Sequence, residues 1–415
     1  MDIRVTCLLL SEALLALFLL YRAGLLKTRR AQVVSALLVL LAFTLRALVF
    51  DYETLDYQDF LTRWVRFFRE NGGFAALDRP VGNYNIPYLY FLALFSYSSI
   101  RDLYLIKLLS TLFDVLLAWS AMLLCRRFRQ STPLLLGCFF AVLFLPTVFL
   151  NSAVWAQCDS TYVALALLGI YLALEDRPVL SMLCITLSFS FKLQAVFVMP
   201  IFAVFWMQGK LNWKHLLLFP AFYVLLVLPA VLLGRPFLDT VTLYFRQTGS
   251  IGSGLNYNSS SIFSVFSQIQ NPERASAIAI VAAFVLVLNL LALTWARRDR
   301  LNDQTVLALA LLFAIGIPFL LPHMHDRYFY AADILTLVLA FVEPMLSPAA
   351  LFTQFASLLG YHAYLKMRYL LPMRYGTAAL ILSLALSLIY LLMGLQTPPP
   401  KSGGKRTQKG LKNRS

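Results

Sequence analysis

Charge is what this sequence has least of. Only 13% of its 415 residues are Asp, Glu, Lys or Arg, while 60% are hydrophobic. Soluble domains carry about 25% charged and 45–50% apolar residues. The shortfall excludes an ordinary water-soluble chain and makes lipid the solvent. Cysteine is scarce as well: Cys7, Cys125, Cys138, Cys158 and Cys184 are the only five, and none forms a CxxC pair. That excludes a disulfide framework and a cysteine zinc site. No stretch is long and polar enough for a soluble domain, and no internal repeat is evident. A chain crossing a bilayer must satisfy its backbone internally, so the expected unit is a helix of about 20 apolar residues.

The net charge of +15 invites a nucleic-acid reading, but its distribution excludes one. Basic residues gather in alternate short loops: Arg22 to Arg30; Arg126, Arg127 and Arg129; Arg177; Lys210 and Lys214; Arg297, Arg298 and Arg300. A further set fills the tail from Lys401 to Arg414. This is the positive-inside pattern, with no basic globular domain to hold nucleic acid. The apolar periods predict helices over 3–21, 32–50, 103–124, 133–150, 161–174, 179–191, 195–207, 215–233, 276–296, 304–321, 331–346, 349–365 and 374–394. The fold class is therefore an all-α polytopic membrane protein with about thirteen transmembrane helices. With every basic loop cytoplasmic, the N-terminus lies outside the plasma (inner) membrane and the tail inside. The segment 3–21 lacks the basic start and small-residue cleavage site of a signal peptide and is read as a retained helix. Residues 1–396 form one membrane domain, 51–102 its first outer loop, and 397–415 a basic, disordered cytoplasmic tail.

This topology sends the polar clusters outward. The first outer loop holds Asp51, Glu53, Asp56 and Asp59 within ten residues. From Asp56 to Arg69 the chain reads as an interfacial amphipathic helix with Phe60, Trp64 and Phe67 as its apolar stripe. Asp59 precedes Arg63 by four residues, a favourable ion-pair spacing. Asp56 has Phe60 at that spacing and no local partner, so it is either an N-cap or a free base. The segment 87–98 is apolar but short, and is read as an interfacial or re-entrant helix with Pro87 in its first turn.

Further outer clusters are Asn151 to Tyr162, the loop 234–275, Lys192 with Gln194, and His323 to Tyr330. Arg327 is a phosphate ligand by type, always charged and bidentate, or else pairs with Asp326. Lys192 ends an apolar run and either snorkels or binds an anion. Gln157 and Asp159 either meet a hydroxylated ligand or cap the next helix. Asn83 and Tyr84 suit a turn or a sugar. His323, His325 and Asp326 have weak metal spacing. Lys107 and Asp114 share one helical face two turns apart and point into the bundle.

Taken in order, these residues resemble the integral-membrane glycosyltransferases of the GT-C fold, and especially bacterial proteins similar to the second mannosyltransferase of glycosylphosphatidylinositol synthesis. The matching pieces are Asp56-Tyr57-x-x-Phe60-Leu61-x-x-Trp64, Asn83-Tyr84-Asn85-x-Pro87-Tyr88, Trp155-Ala156-Gln157-Cys158-Asp159, Phe191-Lys192-x-Gln194 and Met324-His325-Asp326-Arg327-Tyr328. That family often has Gly at the place of Ala156 and Glu at that of Asp326. An extra helix before the acidic loop keeps Asp51 and Asp59 beside Asp56 as alternatives for the catalytic carboxylate.

The resemblance implies an inverting hexosyl (mannose-like) transfer from a polyprenyl-phosphate donor to an acceptor hydroxyl. Asp56 is then the base. Arg327, His325 and Lys192 hold the donor phosphate, while Asn83, Tyr84, Trp155, Gln157, Asp159 and Gln194 contact sugar or acceptor. No metal or other cofactor is obligatory in this reading. The partners are the lipid-linked donor, the bilayer and an acceptor glycan, lipid or protein. The rival readings are a transporter or flippase of a lipid-linked sugar and an envelope polysaccharide polymerase or ligase. Transporters favour repeats and a midplane site, whereas the polar residues here gather at one interface.

Overall fold

The computed structural model describes residues 2–247, 254–266 and 268–396. The expected tail, 397–415, lies outside the described residues. The chain opens with α1 (Ile3–Arg22) and α2 (Arg29–Leu48), packed on one another. In the acidic loop after α2 a π-helical turn (Tyr57–Leu61) runs into α3 (Thr62–Glu70), followed by a 3-10 turn (Gly73–Asp78) and α4 (Ile86–Phe95). Next come α5 (Asp102–Arg126), α6 (Thr132–Leu143) and α7 (Pro146–Phe149), which passes into a second π-helical turn (Leu150–Val154). Beyond it lie α8 (Asp159–Leu174), α9 (Pro178–Phe191), α10 (Pro200–Met207), α11 (Trp213–Leu216), α12 (Leu218–Leu232), α13 (Phe237–Val241) and α14 (Leu243–Gln247). The last group is α15 (Pro272–Ala296), α16 (Asp303–Leu320), α17 (Tyr330–Val342), α18 (Ser347–Leu365) and α19 (Arg374–Gln396).

Helix starts follow local chemistry. Thr28 accepts from Ala31 N to cap α2, and Asn302 and Thr305 form a reciprocal capping box on α16. Proline stands in the first turn of α4, α6, α9, α10, α15 and α18, where its missing N–H costs nothing. The only described sheet is two residues long: β1 (Asn256–Tyr257) pairs in parallel with β2 (Met324–His325).

All thirteen predicted helices are present as helical segments. Among the described residues, seven helices are by themselves long and apolar enough to cross a membrane, and α6 with α7 and its π turn forms a pair bent by 43° that would make an eighth. The apolar helices α8, α9 and α17 are shorter, and α10 has only eight residues. Their reach is short because they sit within protein: α8 and α17 are buried almost all round. A helix walled by other helices need not match the lipid thickness. The lipid-facing work falls to α1, α2, α12, α15 and α19, which leave Leu14, Leu37, Leu225, Phe284 and Ile389 exposed.

The helix ends fall into two groups. At one end Arg126 donates to Ala23 O, Arg129 to Val342 O, Lys210 to Leu174 O and Arg300 to Leu395 O, while Arg127 pairs with Asp303. The basic loops thus close the helix C-termini of one face. The acidic loop and the other polar clusters meet at the opposite end. α4 matches the short segment expected there; at ten residues it spans about 15 Å, half a bilayer.

Candidate active site

The carboxylate of Asp56 is held from across the fold. Trp155 Nε1 donates to its Oδ2 at 2.9 Å and Gln157 Nε2 to the same oxygen at 2.8 Å. Asp56 has helical backbone angles and makes no side-chain capping bond, so the N-cap reading is overturned. Its own N–H donates to the hydroxyl of Tyr364 at 3.0 Å. The two alternative carboxylates point elsewhere. Asp59 pairs with Arg63 at 3.1 Å on the exposed surface, at the spacing read from the sequence. Asp51 accepts from the Tyr104 hydroxyl, also at the surface.

A second carboxylate lies behind the first. Asp159 opens α8 and is buried. Lys192 Nζ sits 2.5 Å from its Oδ1, Asn151 Nδ2 donates to its Oδ2 at 2.7 Å, and its N–H donates to Asn151 Oδ1 at 3.2 Å. Lys192 therefore does not snorkel: it is buried and ion-paired. Arg327 bridges the two carboxylates, with Nη1 3.7 Å from Asp56 Oδ2 and Nε 3.3 Å from Asp159 Oδ2. That Nε is buried yet makes no aligned hydrogen bond. The guanidinium also lies 5.2 Å from the Trp155 ring, a cation–π contact. Two carboxylates thus face two cations.

The surrounding loop fixes Arg327. β1 and β2 pair beside it, and His323 Nδ1 lies 2.7 Å from Gly254 O. The His325 ring stacks on Tyr257. Burial and the nearby Arg327 charge push its pKa down to about 4, so at neutral pH it offers a neutral N–H and not the cation expected of a phosphate ligand. Burial pushes Asp326 up to about 7 against the pull of Arg327. Among the described residues no group of three or more His, Cys, Asp or Glu is placed to hold a metal.

Other expected residues fall at graded distances. Tyr84 donates to Gln157 Oε1 at 3.2 Å and lies under Lys192, so Gln157 links it to Asp56. Asn83 is exposed at the loop edge. Gln194 lies beside Tyr328, its Oε1 buried and unbonded. In the expected interfacial helix Tyr57, Leu61, Val65 and Phe68 make the face that meets protein, while Phe60 is exposed and Trp64 and Phe67 are half-buried. Trp64 packs on Tyr84 and on Gly82, where a Cβ would come within 2.3 Å of the indole.

Tyr364, Tyr361 and Asn151 were not singled out from the sequence. Tyr364 stacks on Trp155 at 3.9 Å, and the Tyr361 hydroxyl accepts from Asn151. The two tyrosines stand three apart near the C-terminal end of an apolar helix, which is the signal the sequence offers. Ala156, between the two donors to Asp56, has φ +61°. That left-handed backbone explains why glycine suits its position.

The model of a protein family described as Glycosyltransferase family 87 matches residues 83–322, more than half of the chain. The matched span includes Tyr84, Trp155, Gln157, Asp159 and Lys192; Asp56 and Arg327 flank it on either side. No curated protein matches the chain.

Proposed function

This chain belongs to glycosyltransferase family 87, and from that membership we propose that it transfers a mannose-like hexose from a polyprenyl-phosphate donor to an acceptor hydroxyl at the outer membrane face, with inversion and with Asp56 as general base. The observation that carries the reading is the convergence of Trp155, Gln157 and Arg327 on Asp56, a carboxylate about a quarter exposed. Oδ2 is occupied by the two donors, and Oδ1 is assigned to the acceptor. As the acceptor oxygen attacks the anomeric carbon, Asp56 takes its proton. The bond to the phosphate oxygen breaks on the opposite face, and the electron pair leaves with the phosphate. A lipid phosphate leaves without protonation, so the second carboxylic acid of a glycosidase is unnecessary.

Charge supports a monophosphate. Among the described side chains Asp56 and Asp159 offset Arg327 and Lys192, which disfavours the extra negative charge of a diphosphate. A phosphodiester brings one negative charge, and the unaligned Nε of Arg327 is a donor available to it. The mannose-like sugar rests on the motif resemblance alone. Plasma-membrane placement and an outward site rest on the charge bias of the loops.

The test uses purified full-length protein in nanodiscs with radiolabelled polyprenyl-phosphate mannose and a membrane-lipid extract as acceptor. Asp56→Asn should lose transfer by about 10²–10⁴-fold, the usual contribution of a general base, while remaining folded. Full transfer by that variant would sink the assignment. In sealed proteoliposomes, movement of the label across the bilayer with no new glycosidic bond would favour a flippase.

A further inference from the structure

α5 carries two charges inside an otherwise apolar span, Lys107 and Asp114, both fully buried. Neither touches the site, yet each is bonded to a segment that builds it. Lys107 Nζ spends its three donors on backbone carbonyls: Val49 O at 3.1 Å, Phe50 O at 3.0 Å and Tyr52 O at 2.7 Å. These carbonyls follow the C-terminus of α2 and lead, four residues later, to Asp56. Seven residues along α5, about 10 Å, Asp114 holds the other side. Its Oδ2 accepts from Ser152 Oγ at 2.5 Å and from Arg46 Nη2 at 2.9 Å, and its Oδ1 accepts from Ser160 Oγ at 2.5 Å. Ser152 and Ser160 bracket the segment that presents Trp155, Gln157 and Asp159. At the start of α5, Asp102 accepts from the hydroxyl of Tyr57, the neighbour of Asp56, at 3.0 Å.

We infer that Lys107 and Asp114 are positioning residues: α5 acts as a ruler whose two buried charges set the spacing between the loop bearing Asp56 and the segment bearing Trp155 and Gln157. A group needed only for stability has no reason to be ionic here, since well-packed apolar residues replace buried ion pairs with little loss. What a charge adds is direction. Three carbonyls converge on one ammonium, and two hydroxyls and a guanidinium converge on one carboxylate. Arg46 extends the tie to Leu143 O, at the bend between α6 and α7. In kinetic terms the inference rests on the reading of Asp56 as base; in structural terms it does not.

The test therefore has two arms. In the first, the full chain is labelled with ¹⁵N-tryptophan in detergent, and the Trp155 indole N–H signal is identified by its loss in Trp155→Phe. Asp56→Ala gives the signal position of an indole without its carboxylate. Lys107→Met and the double variant Ser152→Ala/Ser160→Ala should move the signal toward that position. The double variant keeps the Arg46–Asp114 pair and so leaves no buried charge unpaired. In the second arm, kcat per folded molecule, with the donor and acceptor of the transfer assay, should fall about 10–100-fold with KM unchanged, as misplacement of a catalytic group does. Folded variants with wild-type indole signals and wild-type kcat would overturn the inference. Should Asp56→Ala itself retain transfer, the base assignment falls, and the indole signal still decides whether α5 sets the spacing.

Discussion

At the scale of single residues, the structure separates carboxylates that the sequence sets side by side. Spacing alone gave Asp59 its partner, Arg63, and left Asp56 between cap and base. The deciding contacts come from Trp155, Gln157 and Tyr364, roughly 100 to 300 residues away in sequence, and no local pattern encodes them. Charge cancellation was partly hidden: the sequence offers Asp326 as a partner for Arg327 and none for Lys192, and the structure sets Asp159 between the two cations. Asp326 gives a pH prediction. Its pKa is raised to about 7 by burial, so it is mostly protonated below that pH. Above it, a negative charge appears 3.9 Å from Arg327 Nη1 and competes with a phosphate. Donor KM should therefore rise as pH climbs through about 7, and Asp326→Asn should flatten that rise. A wild-type donor KM flat across neutral pH would contradict the role given to Arg327.

At the scale of elements, helix positions were legible and helix interruptions were not. Apolar periodicity located each long helix because lipid and core both demand it. The two π turns, Tyr57–Leu61 and Leu150–Val154, escaped because an inserted residue leaves composition unchanged. They flank the contact between Asp56 and Trp155, where a rotated face re-aims side chains. Close approach of elements gives a second prediction. At Gly360, in α18, a Cβ would meet the carbonyl oxygens of Asn258 and Asp326 at 2.8 Å. Backbone must shift to admit it, so Gly360→Ala should push the Arg327 loop from α18. Transfer should fall about tenfold or more in protein that still folds, read as activity per folded molecule. An unchanged rate would show that the loop takes its position from β1 alone.

At the scale of the whole molecule, the division into two ends is legible in charge alone. The arginines of the basic loops close the helix C-termini of one face, so one residue choice serves charge bias and packing together. The helices located by hydropathy differ in length because hydropathy measures apolarity, and a helix buried among helices is as apolar as one in lipid. Sidedness can be tested in a cysteine-free background. Ser99→Cys should react with a membrane-impermeant maleimide in intact cells, and Asp299→Cys only after permeabilisation. Both positions are exposed, at opposite ends. The reverse labelling would turn the site toward the cytoplasm and remove the case for a lipid-carried donor.

The bond from Asp56 to Tyr364 joins positions 308 residues apart, and this bears on when the chain acquires its chemistry. A ribosome delivers Asp56 early and Tyr364 much later, with fourteen helices between α3 and α18. Until α18 is inserted, the acidic loop has neither its tyrosine support nor, before residue 327, its guanidinium. A chain halted just past residue 322 would contain the whole family-matched span and still lack both. Synthesis thus brings the partners of the Asp56 carboxylate together only as the later helices enter.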